Sequence, residues 1–105
     1  MINQVCICGN VANDPKLMGE NSNALRFSLA VNEYIGKDEP LRPSFFDVVL
    51  FGKRAETLSE IIRRGMLLTI AGKLRSSTYE KDGVKRYQVE IIANEIQLPP
   101  IDRER

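Results

Sequence analysis

Apolar residues recur along most of this chain at every second position, the period of a strand whose successive side chains point to opposite faces. From Asn3 to Ala12, Val5, Ile7, Gly9 and Val11 alternate with Cys6 and Cys8. Both faces are largely apolar, so a strand covered on both sides is expected, with a second chain supplying what one small barrel cannot. Asn13-Asp14-Pro15 stops that strand, and Gly19 to Asn23 reads as a polar loop. Leu25 to Asn32 is a half-buried strand, with Leu25, Phe27, Leu29 and Val31 on one face and Arg26 and Ser28 on the other. Glu33 to Pro43, which carries Gly36, Pro40 and Pro43, is a long exposed loop. In the strand from Ser44 to Phe51, Phe46, Val48 and Leu50 line the core face, and Phe45, Asp47, Val49 and Phe51 line the other.

The period changes after Gly52. Ala55, Leu58, Ile61 and Ile62 recur at helical spacing, with Glu56 and Glu60 ahead of Arg63 and Arg64, which fall in the last turn where the helix dipole favours cations. Gly65 is the expected C-terminal cap. Strand character returns from Met66 to Leu74, and Ser76 to Lys85 reads as a hairpin arm turning at Asp82-Gly83. The last strand holds Tyr87, Val89 and Ile91 in phase with the core, then shifts to Ile92, Asn94, Ile96 and Leu98. Such a slip predicts a bulge or a bend, the device by which a sheet curves toward closure. Pro99-Pro100 ends the domain, which spans residues 1–98 and leaves 99–105 as a short charged tail. The order strand, strand, strand, helix, strand, strand suits an all-β, five-stranded Greek-key barrel of the OB type with its helix between strands three and four. A small open α+β sheet is the alternative; the shifted last strand and the two-sided first strand favour the barrel.

Composition narrows the chemistry. A chain of 105 residues, 43% hydrophobic, affords one core, and no apolar run approaches the ~20 residues of a membrane-spanning helix. With no His, the Ser-His-Asp and Cys-His mechanisms are excluded, as are His-ligated metals. Two Cys cannot complete a four-ligand zinc site, and Cys6 and Cys8 read as free, buried, small apolar residues. The start, Met1-Ile2-Asn3-Gln4, lacks the features of a signal peptide, so a cytoplasmic protein is expected. Neither Gly52-Lys53 nor Gly72-Lys73 has the frame of a phosphate-binding loop, and the carboxylates are scattered. No catalytic residue, metal or cofactor is therefore expected. The formal net charge of +1 conceals a local excess: Lys53, Arg54, Arg63, Arg64, Lys73 and Arg75 face only Glu56 and Glu60 in the same stretch.

Met1-Ile2-Asn3-Gln4-Val5, Asp14-Pro15, Phe27-Ser28-Leu29-Ala30-Val31-Asn32, Val49-Leu50-Phe51-Gly52-Lys53-Arg54-Ala55-Glu56, Arg64-Gly65, Gly72-Lys73-Leu74-Arg75 and Asp82-Gly83 through Ile96 stand in an order and spacing that resembles the bacterial single-stranded DNA-binding protein family. The resemblance runs from Met1 to about Leu98. It implies an OB-fold that assembles, usually as a homotetramer, and binds single-stranded DNA without sequence preference in replication, recombination or repair, in the nucleoid. Such binding needs aromatic faces for bases and cations for phosphates. Phe45 and Phe51 lie on the non-core face, six residues or roughly 20 Å apart at ~3.3 Å per residue. The resemblance aligns Phe45, Phe51 and Tyr79 with stacking aromatics and sets Tyr34 near another. It puts Lys53, Arg64, Arg75 and Arg86 where the family has cations near DNA, and Lys73 belongs to the same basic stretch.

Structural readings stand beside these. Phe45 and Phe51 would also serve to close an end of the barrel, Arg63 and Arg64 to complement the helix terminus. Tyr87, Phe27 and Phe46 are read as core packing. Asp47 shares the face of Phe45 and Phe51, where a carboxylate repels phosphate unless a neighbouring Arg pairs with it. The ending Pro99-Pro100-Ile101-Asp102-Arg103-Glu104-Arg105 departs from the linker and acidic tip of many members, so the resemblance is to a tail-less one, and no partners that depend on such a tip are expected. A primosomal accessory protein of the same fold, working mainly through protein contacts in replication restart, is the alternative function.

Overall fold

The computed structural model describes residues 1–19, 23–33 and 42–99. Tyr34, most of the long loop and residues 100–105 of the tail lie outside the described residues. Six strands and a helix follow one another as β1 (Val5–Val11), β2 (Lys16–Met18), β3 (Ala24–Glu33), β4 (Arg42–Phe51), α1 (Lys53–Ser59), β5 (Leu67–Lys81) and β6 (Val84–Gln97). The sheet order is β1-β5-β6-β4-β3-β2, and β1 also pairs with β3 at Asn10↔Ala30 and Val11↔Leu29. That second pairing closes the circuit into the five-stranded barrel expected from the element order. The three-residue β2 adds to the margin of β3 and is not legible as a strand in the sequence, because Lys16-Leu17-Met18 is too short to show a period and is exposed throughout.

The core fills as alternation dictates. Leu25, Phe27 and Leu29 from β3, Val48 and Leu50 from β4, Leu68 and Ile70 from β5 and Ile91 from β6 are buried together. Ala55 and Ile62 plug the helical end. The helix is shorter than the sequence predicts: it stops at Ser59, with no basic residue in its last turn. Ser59 Oγ donates to the Glu56 carbonyl at 2.6 Å, and Ile61 and Ile62 both donate backbone N–H groups to Leu58, tightening the chain into a turn that drops Ile62 into the barrel and leaves Ile61 outside. Arg63 still serves the helix end, donating to the carbonyls of Ser59 and Ile62 at 3.3 and 3.1 Å. Gly65 is followed by β5 rather than capping a helix that reaches it.

Leu67 to Lys81 is one continuous strand where the sequence suggests two pieces, and β5 and β6 stay paired from Thr69↔Gln97 to Lys81↔Val84. The two-residue turn Asp82-Gly83 has φ of 54° and 77°, the positive pair that matches the twist of a tight hairpin. The bulge expected from the phase slip is present. Ala71 faces Glu95 while Gly72 faces Ala93, which leaves Asn94 as the extra residue. Gly72 is required there, since a Cβ would run into the Ile92 carbonyl. Beyond this point no third strand among the described residues flanks the hairpin, because β1 reaches only to Gly72 and β4 meets β6 only at Ile91 and Ile92.

Three expectations of burial fail for related reasons. Tyr87 is 75% exposed, because it has the phase of the core but sits on the arm, where no element among the described residues lies beneath it. Phe46 is likewise exposed near the far end of β4. Cys6 and Cys8 are free but exposed, since β1 turns Val5, Ile7, Gly9 and Val11 inward and no element among the described residues covers its other face.

Candidate nucleic-acid interface

Register decides which side chains meet. Opposed residues in an antiparallel pair share a face, so Lys73, Arg75, Ser77 and Tyr79 of β5 stand with Ile92, Glu90, Gln88 and Arg86 of β6. Val49 of β4 faces Ile92 on one side and Arg26 of β3 on the other, and Phe51, Asp47 and Phe45 follow along β4. The outer face of β3, β4, β6 and β5 therefore collects six of the residues singled out from the sequence: Phe45, Phe51, Lys73, Arg75, Tyr79 and Arg86. Phe45 is 64% exposed, Tyr79 46% and Phe51 44%, so none of the three closes a barrel end. Lys53 and Arg64 are exposed but sit at the start of α1 and in the turn before β5, off this face. Tyr34 lies outside the described residues.

The face has a polar centre that the sequence reading passes over. Glu90 is the one buried charged residue among the described residues, 3% exposed. Its Oε1 accepts from Arg75 Nη2 at 2.6 Å and its Oε2 from Arg26 Nη1 at 2.7 Å. Arg26 reaches Glu90 across β4, where its register partner Val49 is fully buried although it points outward. Ala24, Val49 and Ile92 form a small apolar cluster there. On the other side the Arg75 guanidinium lies over Phe51, with Cζ 5.3 Å from the ring centroid, within cation–π range. Asp47 finds no Arg among the described residues; its Oδ1 accepts a 3.3 Å hydrogen bond from Ser28 Oγ. Beside it a cleft of about 280 Å³ is lined by Lys16, Arg26, Ser28, Gln88 and a second carboxylate, Asp14, so cations and carboxylates share this part of the face.

Burial pushes the Glu90 carboxyl up, but the hydrogen bonds from Arg75 and Arg26 and their charges outweigh it and hold the group below the usual carboxylate value. A depressed folded-state value contributes stability that is present above the unfolded-state value and is lost as pH falls through the folded one. Breaking a fully buried pair costs about 3–5 kcal/mol. Here both arginines are part-exposed and turn to water when released, so Glu90→Gln is expected to lose on the order of 1 kcal/mol at neutral pH. In acid the difference from wild type shrinks, which thermal unfolding followed by circular dichroism at both pH values checks.

Among the described residues no three His, Cys, Asp or Glu side chains gather as metal ligands would. The arrangement is instead a surface of aromatic rings, planar guanidinium groups and ammonium groups on a rigid sheet, suited to a ligand with π-faces and repeated negative charge.

Comparison with known proteins agrees with this chemistry. The model of the "Single-strand binding protein family" matches residues 2–99. A single-stranded DNA-binding protein of Clostridium tetani is 34% identical over 101 residues, which cover 92% of this chain and 70% of that protein. Single-stranded DNA-binding protein 2 of Streptococcus agalactiae serotype V is also 34% identical, over 93% of this chain and 77% of its own length. Among solved structures, the small single-stranded DNA-binding protein from Streptomyces coelicolor superposes with a TM-score of 0.73 at 25% identity, over 94% of this chain and 96% of that one. The Plasmodium falciparum SSB complex with ssDNA shares the fold, with a TM-score of 0.80 at 20% identity over 97% and 96% of the two chains.

Proposed function

The chain belongs to the single-strand binding protein family, and we propose that it binds and protects single-stranded DNA without sequence preference, through the outer face of β3, β4, β6 and β5. The observation that carries this reading is the gathering of Phe45, Phe51 and Tyr79 with Lys73, Arg75 and Arg86 on one exposed sheet face. Bases stack on the rings and phosphates meet the cations; Lys53 and Arg64 extend the path of the strand past the helical end. Every base has a π-face and every nucleotide a charge, so the recognition is indifferent to sequence. On this reading the protein works in replication, recombination or repair in the cytoplasm, as a binder and not a catalyst, and membership of the family is what supports it. No helix among the described residues is long and apolar enough to cross a membrane. Nothing favours the primosomal alternative. Titration of labelled oligonucleotides, single- and double-stranded, tests the reading: single strands should bind far more tightly, and equal affinity for the duplex would remove its basis.

The assembly is a homo-oligomer, a tetramer, and the support is β1. Its outer face exposes Cys6 and Cys8, and ahead of it Met1 and Ile2 stand in solvent. A second chain laid on this surface buries what one barrel leaves uncovered. Multi-angle light scattering should return a mass of four chains, or two at low concentration. A monomer at every concentration would refute the assembly.

A further inference from the structure

Glu90 is out of place on a surface built for phosphates. It is buried, it is the one buried charge among the described residues, and it faces the side on which the strand is proposed to lie. Its two oxygens are divided between two cations from different strands, Arg75 on β5 and Arg26 on β3. Each arginine gives it a single terminal nitrogen, and a guanidinium has five N–H donors, so most of the donors of both groups stay available. The grip fixes their positions instead of consuming them. Arg75 is held over Phe51 with its Cζ 5.3 Å from the ring centroid, while Phe51 stays 44% exposed. Arg26 stands opposite Val49 in the register and lines the cleft that Asp47 and Gln88 also line.

We propose that Glu90 is a positioning residue for the bound strand: by holding Arg75 and Arg26 at once it presets two guanidinium planes across the outer face, one stacked on Phe51, and a base meets a platform that is already assembled. Long arginine side chains are otherwise free to rotate, and ordering them on binding opposes affinity; an ordered guanidinium plane is itself a surface on which bases stack. Arg26 thereby becomes part of the interface. The inference rests on the single-stranded DNA reading above.

Opposite signs separate positioning from simple charge balance. If Glu90 only neutralised its neighbours, Glu90→Gln would add positive charge to a phosphate-binding face, tightening binding and steepening its salt dependence. If Glu90 positions the arginines, the same variant binds a labelled oligothymidylate about threefold to tenfold more weakly than wild type, in spite of the added charge. Arg75→Lys keeps the charge but has neither the plane nor the fork, and should fall by a similar factor. The double variant should be little weaker than Glu90→Gln alone, because that variant has already released Arg75. In the free protein the Arg75 Nε–H resonance should carry the ring-current shift of Phe51 and lose it in Glu90→Gln. Tighter binding by Glu90→Gln, wild-type affinity of Arg75→Lys, or an unshifted Arg75 resonance in wild type would each overturn the proposal. Should Glu90→Gln not fold, Arg75→Lys and the wild-type resonance decide. Failure of wild type to bind the oligothymidylate, with the ring-current shift present, would refute the DNA reading and the positioning role with it while leaving the Arg75–Phe51 stack established.

Discussion

Replacing Phe45, Phe51 or Tyr79 by Ala should weaken single-stranded DNA binding by about 1–3 kcal/mol each, roughly 5- to 150-fold, and by a similar factor at low and high salt, because stacking is not a counterion effect. Phe45 gives the cleanest measurement. At 64% exposed it contributes little to the core, so Phe45→Ala should unfold within a degree or two of wild type, as surface substitutions do. Phe51→Ala also takes away the ring on which Arg75 rests, so its loss is expected to be the largest of the three. Fluorescence anisotropy at two salt concentrations, with a melting curve for each variant, checks both halves. A variant that melts early without losing affinity would move that ring from the interface to the fold.

Salt separates the cations from the rings. Removing a Lys or Arg that touches phosphate should lower the slope of log K against log salt by on the order of 0.7 for each phosphate left unneutralised. Lys73→Ala and Arg86→Ala should show this decrease in full, since among the described residues neither side chain takes part in an ion pair. Arg75→Ala should flatten the slope less, because part of its charge is already met by Glu90. Across a change from low to moderate salt, wild-type affinity should fall by orders of magnitude, the larger of the two expected effects. Titrations at four or five salt concentrations give the slopes directly.

How far these residues can be read from the sequence depends on what each inference requires. Alternation alone puts Phe45 and Phe51 on the outer face and Leu25, Phe27 and Leu29 in the core, and the phase slip around Ile91 and Ile92 locates a bulge that falls at Asn94. Period two reports which face a residue is on, not whether anything covers that face. For this reason Tyr87, in phase with Ile91, reads as core although it lies on the projecting arm, and Cys6 and Cys8 read as buried although no element among the described residues covers them. The periodicity overdraws the helix because Ile61 and Ile62 fit a helical stripe; tertiary burial of Ile62 alone is satisfied better by a turn.

The pairing of Arg75 with Glu90 is within reach of the sequence, although alternation by itself passes over it. A two-residue turn at Asp82-Gly83 fixes the register of the whole hairpin, and counting back from Lys81↔Val84 puts Arg75 opposite Glu90 and Tyr79 opposite Arg86. Arg26 is not within reach in the same way. It meets Glu90 only because β4 and β6 run parallel at Val48↔Ile91 and Val49↔Ile92, a long-range pairing made by the barrel as a whole and not by any local pattern.

The central claim is that the outer face of β3, β4, β6 and β5 is where single-stranded DNA lies. Chemical-shift mapping during titration with an oligothymidylate tests it most directly. The rings of Phe45, Phe51 and Tyr79 and the backbone around Lys73, Arg75 and Arg86 should move together, while Cys6 and Cys8 on β1 and Tyr87 and Val89 on the opposite side of the arm stay in place. Shifts concentrated on β1 or around Tyr87, with the three aromatic rings undisturbed, would contradict the account.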